Sequence, residues 1–206
     1  DVMNSGYAMG GVNYRKIKFD SLGSDNYLET DTVYLGCWRT LDLLEFSGFN
    51  EEFQINEDYE LNIRLRKGGR KVILITDLIV DYFVRSSLYG LIKQFFRYGL
   101  WKTKTLSVHP ESLKLRQLAP VLFVLFLLSI VISNIMIQGN FLIFLNSFFG
   151  FISMLWLVLI VLIWSKSSSL TSIFLIPVIV LSMHISWGLG FLYGLSRWLA
   201  GGWNKK

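Results

Sequence analysis

The run Ala119–Ile137, APVLFVLFLLSIVISNIMI, carries no charge over 19 residues and decides what kind of protein this is. As a helix it spans about 28 Å, against a bilayer hydrocarbon core of about 30 Å. A polar break, Gln138-Gly139-Asn140, separates it from a second uncharged stretch, 141–164, long enough to cross with tilt. After the loop 165–169 (SKSSS) comes a third, from 170 to about 195, which contains Pro177 and several glycines. Neighbouring helices and Ser/Thr side chains can satisfy the carbonyl that a membrane proline frees. The alternative, buried core helices of a large soluble protein, is disfavoured because no Asp or Glu occurs anywhere in 119–206.

Upstream the charge pattern changes in two steps. Residues 82–118 hold 7 basic side chains and one acid, Glu111, whereas 1–81 hold 14 acidic and 9 basic ones. A soluble unit, a basic collar and a membrane unit follow in that order. The collar precedes the first span and the next loop is uncharged, so the positive-inside rule puts the soluble half in the cytoplasm. Lys166 agrees, whereas three full crossings leave Lys205 and Lys206 outside. Overall the chain is 52% hydrophobic and 17% charged with net charge +5, short of the roughly 25% charged residues of soluble domains. An ordinary cytosolic domain and a disordered tail are excluded, and one cysteine, Cys37, excludes a disulfide scaffold. The chain opens on Asp1 without a signal-like segment, and a piece of something longer is the preferred reading over a removed leader.

Within the soluble half, Thr32–Leu35 (TVYL) reads as a strand ending at Gly36. Thr40 is placed to cap a short helix, 41–46, that ends near Gly48. Asn56–Gly69, NEDYELNIRLRKGG, is a helix with signals at both ends. Carboxylates crowd its first turn, Glu60 and Arg64 are four apart, cations fill the last turn and glycines stop it. Lys71–Thr76 and Leu78–Val84 are two more strand candidates. Ser86 is placed to cap a helix running from Leu88 toward Trp101. Leu88, Leu91, Ile92, Phe95, Phe96 and Leu100 share one face of it, with Lys93, Arg97 and Lys104 largely on another. Such a basic amphipathic helix before a span lies in the membrane plane, or else packs on the soluble sheet.

Glu57-Asp58 is the chemically loaded pair, since free N–H groups and the helix dipole favour ionised carboxylates there. Taken alone, such acids are routine first-turn caps. Cys37 lacks a partner cysteine or nearby histidine and reads as a core or substrate-side residue. His109 reads as a loop residue and His184 as a hydrogen-bonding group between membrane helices. Trp101, Trp198 and Trp203 fit interfacial belts. No zinc spacing, Ser/His/Asp set or nucleic-acid module is present.

Taken together, Gly36-Cys37-Trp38-Arg39, Ser47–Glu52 (SGFNEE) and Asn56–Gly69 resemble the acceptor-side half of family 2 glycosyltransferases. Arg85–Leu88 (RSSL) and Gln94–Lys102 (QFFRYGLWK) are similar to the interface-helix motif of the membrane-bound members. His184–Phe191, HISWGLGF, resembles a run in the last apolar segment of the succinoglycan-biosynthesis type. The resemblance extends from about Asp31 to Leu195. It implies that Asp58 is the general base taking a proton from an acceptor hydroxyl, with Glu57 beside it, and that the displacement inverts the anomeric carbon. It implies that Gln94 and Arg97 belong to the family's Gln-x-x-Arg-Trp type of motif, whose arginine helps hold the departing diphosphate, Arg97 alternatively being a headgroup-binding cation. The tryptophan usual after that arginine is Tyr98 here, with Trp101 one turn on, so either ring is a candidate to pack on the acceptor sugar. The family's nucleotide and Mg²⁺ or Mn²⁺ bind through an Asp-x-Asp motif, and none occurs in this sequence. The resemblance therefore places the donor and metal half upstream of this chain, with no metal ligand here and no activity expected of this piece alone.

The expected fold is α/β, the C-terminal, acceptor-side part of a GT-A-type domain, then an amphipathic interface helix and about three transmembrane helices. The corresponding regions are 1–85, 86–118 and 119–206, with spans at about 119–137, 141–164 and 170–195. The expected protein is a multi-pass membrane glycosyltransferase. It moves a sugar from a nucleotide-sugar donor to a lipid-linked or growing glycan acceptor at the cytoplasmic face, with membrane lipids and no nucleic acid as partners. A polyprenyl-phosphate sugar synthase and a non-catalytic membrane adaptor that keeps the fold are the alternatives.

Overall fold

In the computed structural model, residues 27–33, 36–75, 87–137, 139–164 and 170–203 are described. The chain order is β1 (Tyr27–Glu29), α1 (Thr40–Glu45), α2 (Glu57–Lys67), β2 (Ile73–Ile75), α3 (Leu88–Val108), α4 (Leu118–Met136), α5 (Asn140–Trp164) and α6 (Leu170–Leu199). Two 3-10 turns, Pro110–Ser112 and Leu115–Gln117, join α3 to α4. Helix dominates. The sheet among the described residues is a single antiparallel pair, with Tyr27 opposite Ile75 and Glu29 opposite Ile73.

Several sequence expectations need correction. Thr32 and Val33 lie outside any strand. Side chains fasten their segment to α2 in place of a ladder: Asn62 Nδ2 donates to Thr32 Oγ1 at 3.2 Å and Arg66 to Asp31 at 2.9 Å. Thr40 is the first helical residue of α1; Arg39 occupies the cap position and offers no side-chain bond. The strand expected over 71–76 narrows to Ile73–Ile75. Leu78–Val84 and Ser86 fall outside the described residues. Ser87 caps α3, its Oγ accepting from Gly90 N at 3.1 Å. That helix also outruns Trp101, continuing to Val108, where the residue before Pro110 is forced out of helical geometry.

The outline of α2 agrees with its sequence. It starts after Asn56, ends at Gly68, and Arg64 Nε reaches Glu60 at 2.9 Å. Asn56 takes a left-handed φ of 66° at the start, a conformation asparagine tolerates better than most residues.

α3 is set against α6. It packs on α6 so closely that glycine is required. A Cβ on Gly99 meets Trp187 O at 2.1 Å, one on Gly190 meets Phe96 O at 2.0 Å, and one on Gly194 meets Thr103 Oγ1 at 2.1 Å. The pairings Phe96–Gly190 and Thr103–Gly194 rise together, so α3 and α6 run parallel. Leu91 and Phe95 of α3 join Val121 of α4 and Val180, Met183 and Trp187 of α6 in one core. Leu88 and Ile92, on the apolar face of the same helix, are exposed. Lys104, expected on the polar face, is buried and meets Glu52 at 2.7 Å.

α4 meets α6 in the opposite sense. Gly188 abuts Pro120 while His184 stands edge-on to Phe123, so residue numbers rise along one helix as they fall along the other. His184 bonds Val180 O of its own helix at 2.8 Å. Leu115–Met136 and Leu175–Leu199 are long and apolar enough to cross a membrane; the described apolar part of α5, Asn140–Leu155, is shorter. The chain after α6 packs against α3. Trp203 is buried against Trp101 at 5.7 Å between centroids, and its carbonyl accepts from Lys104. These two rings are core, not an interfacial belt.

Gly190→Ala and Gly99→Ala are each expected to cost about 1–3 kcal/mol through forced separation of the helices. Gly150→Ala, which meets nothing within 4 Å, is expected to stay within about 0.5 kcal/mol. Thermal unfolding in detergent checks the contrast.

Candidate active site

Two walls face each other across a cleft of about 710 Å³. Gln54, Ile55, Asn56, Glu57 and Asp58 form one, from the loop before α2 and its first turn; Gly90, Lys93, Gln94, Arg97 and Tyr98 form the other, along α3. The α3 residues recur at three- and four-residue spacing, so they make one stripe. Its opposite face carries Leu91 and Phe95 into the core shared with α4 and α6. Asp58, Glu57, Gln94, Arg97 and Tyr98 thus share one cavity. Trp101 does not line it: its ring is buried between Phe53 at 6.2 Å and Trp203.

Asp58 is half-buried, and its Oδ1 accepts from Tyr59 N at 2.7 Å. Burial pushes its carboxyl above the ordinary value of 3.8, and the charge of Glu57 adds to the rise, while the Tyr59 N–H works against it. Its affinity for a proton is raised accordingly. Across the cleft, Gln94 Nε2 donates to Tyr98 Oη at 2.7 Å, and Gln94 Oε1 is buried without a partner. An unmatched buried acceptor costs about 1–3 kcal/mol, a cost that a ligand hydroxyl would relieve. Lys93 and Arg97 are exposed, and neither forms an ion pair among the described residues.

A buried latch holds the walls in register. Glu60 Oε1 accepts from His109 Nε2 at 3.0 Å, while Arg64 donates to both Glu60 oxygens and to the carbonyls of Phe46 and Gly48. Lys67 Nζ donates to His109 Nδ1 at 3.2 Å, which leaves the imidazole proton on Nε2. His109 is therefore a buried tie between α2 and the end of α3, not a simple loop residue. Lys102 makes a second tie. Its Nζ donates to Ser112 O at 2.9 Å and lies 4.9 Å from the Tyr59 ring centre; burial pushes it down to about 8. Cys37, expected in a core or beside substrate, is exposed.

Sequence reasoning left Lys93, Gly90 and Gln54–Asn56 without a role. Lys93 was legible, since it stands four residues before Arg97 on the same stripe; the loop residues carried no signal. Among the described residues no group of three His, Cys, Asp or Glu side chains converges to hold a metal ion. These residues do not fit the divalent ion that the resemblance implies.

Two curated proteins are similar to the chain. The succinoglycan biosynthesis protein ExoA of Rhizobium meliloti (strain 1021) is 35% identical over 74 residues, covering 36% of this chain and 22% of that protein. The dolichyl N-acetyl-alpha-D-glucosaminyl phosphate 3-beta-D-2,3-diacetamido-2,3-dideoxy-beta-D-glucuronosyltransferase of Methanococcus voltae is 31% identical over 109 residues, 52% of this chain and 33% of that protein. The matches thus span only about a fifth and a third of these relatives. No family model and no solved structure matches. The resemblance to family 2-type glycosyltransferases, including the succinoglycan-biosynthesis type, is borne out at this level.

The latch generates a pH prediction. Burial by itself would raise the Glu60 carboxyl, but bonds from Arg64 and His109 override it and hold it below the ordinary 4.5. Its stabilisation is full above that value and is lost as pH falls through the folded-state value. Glu60→Gln is expected to cost about 3 kcal/mol at neutral pH, with the gap to wild type closing in acid. Unfolding midpoints measured from pH 7 to pH 3 check it.

Proposed function

We propose that this chain supplies the acceptor side of a membrane-bound, inverting glycosyltransferase, with Asp58 as the general base. The observation that carries the reading is the cleft that sets the Asp58 carboxyl on α2 opposite Gln94, Arg97 and Tyr98 on α3. In the reaction, an acceptor hydroxyl oxygen forms a bond to the anomeric carbon of a nucleotide sugar as the bond to the diphosphate oxygen breaks. The hydroxyl proton passes to Asp58, and the departing diphosphate draws its negative charge toward Arg97. One displacement gives inversion. The raised proton affinity of Asp58 suits the base role, because the proton is accepted only as the hydroxyl acidifies in the transition state. Gln94 Oε1 is available to a sugar hydroxyl, and the Tyr98 ring offers a packing surface beside it.

A lipid-linked acceptor is favoured over a free glycan because the α3 wall shares its core with the two apolar helices α4 and α6. The name of the Methanococcus relative, which specifies a dolichyl sugar phosphate, points the same way. α4 leaves the soluble end and α6 returns to it, so these two helices form an out-and-back pair, with α5 joining their far ends. This reading keeps the α2–α3 region and Trp203 on one face, assigned to the cytoplasm by the basic collar. The divalent ion expected of such enzymes is not held by the described residues, and no step here passes through it.

In the full-length enzyme, Asp58→Asn is expected to lower turnover by about 10²–10⁴-fold while leaving nucleotide-sugar binding intact. Unchanged turnover would reject the base and leave a phosphate acceptor, which needs no deprotonation. Reporter fusions after Asn56 and after Lys206 are expected on the same side of the membrane; opposite sides would refute the out-and-back pair.

A further inference from the structure

We infer that Lys93 is a second phosphate-binding cation of the cleft, and that it takes the phosphate of a lipid-attached acceptor while Arg97 serves the donor diphosphate. The inference rests on the glycosyltransferase reading above and deepens it. Arg64, Arg66, Arg70 and Lys104 each meet a carboxylate. Lys93 and Arg97 line the cleft with Glu57 and Asp58 opposite, yet neither is paired among the described residues. Neither is committed to a carboxylate among the described residues, so each is open to a ligand anion.

Their positions divide the work. Lys93 lies one turn nearer the start of α3, beside exposed Leu88, Tyr89 and Ile92. Because Phe96 sits at Gly190, the helix before Phe96 runs beside the α6 residues that precede Gly190. That stretch of α6 is flanked by the first turns of α4 through Pro120 and Phe123. The Lys93 end of the cleft is therefore level with the beginning of α4 and has apolar side chains around it. A phosphate bound there would have its hydrocarbon chain in lipid and its sugar toward Asp58. An ammonium acts as a compact point charge for such a static anion, whereas the planar Arg97 suits an oxyanion whose charge grows during bond cleavage.

The test is equilibrium binding to the full-length protein in neutral detergent, comparing wild type, Lys93→Gln and Lys93→Arg. Four probes are used: farnesyl diphosphate, inorganic pyrophosphate, farnesol and UDP. Lys93→Gln is expected to weaken farnesyl diphosphate about tenfold, with Lys93→Arg restoring most of the loss and with UDP and farnesol unchanged. Pyrophosphate is expected to bind far more weakly than its farnesyl ester. No effect of Lys93→Gln, a loss confined to UDP, or pyrophosphate matching farnesyl diphosphate in affinity and in loss would each overturn the assignment. Lys93 is exposed, so an unchanged thermal midpoint is expected of both variants. The readout is binding, so a failure of the Asp58 assignment, seen as turnover by Asp58→Asn, stays distinguishable from a failure here.

Discussion

Backbone pressed on backbone between α3 and α6 is the contact on which the rest depends. At Gly99, Gly190 and Gly194 there is no room for a single methyl group. Apolar side chains gain little by leaving lipid for another helix, so close approach through small residues is a principal source of helix affinity in a membrane. Here it fixes an entire helix bearing Lys93, Gln94, Arg97 and Tyr98 to a candidate membrane span. The HISWGLGF run supplies Trp187 and Gly190 to this joint and Gly188 to the contact with α4, which gives the run a packing role.

With α3 fixed, a smaller set of buried polar contacts places α2. Glu60 is 1% exposed and satisfied by Arg64 and His109. Lys102 ties the Pro110–Ser112 turn beneath Tyr59, the residue whose N–H holds Asp58. Each tie is costly to break because it would leave a buried charge unmatched. The left-handed Asn56 turns the chain sharply into the first helical turn, and Glu57 and Asp58 line the cleft from there.

Features set by local spacing were legible in the sequence. The ends of α2, the Glu60–Arg64 pair, the three apolar stretches and the stripe holding Gln94 and Arg97 all depend on residues a few positions apart. What stayed hidden depends on partners far along the chain. Lys104 looks like a surface cation until Glu52, 52 residues earlier, is seen beside it. His109 looks like a loop residue until Glu60 reaches it, and Trp101 looks interfacial until Trp203 folds back onto it. The Thr32 segment has strand propensity, but its side chains bond α2, which no local pattern records. Of the six candidate site residues, only Trp101 lies away from the cleft, for that same reason.

The central claim is that the α3–α6 joint holds the cleft at the membrane surface. It is tested most directly by a nitroxide at position 89 of the full-length protein in bilayers, on a Cys37→Ser background because Cys37 is exposed. Tyr89 is 75% exposed at the start of α3. The account predicts frequent collisions of the label with oxygen and few with a water-soluble nickel chelate, as at the boundary of headgroups and acyl chains. Free access of the chelate, equal to that of a label in bulk water, would contradict it.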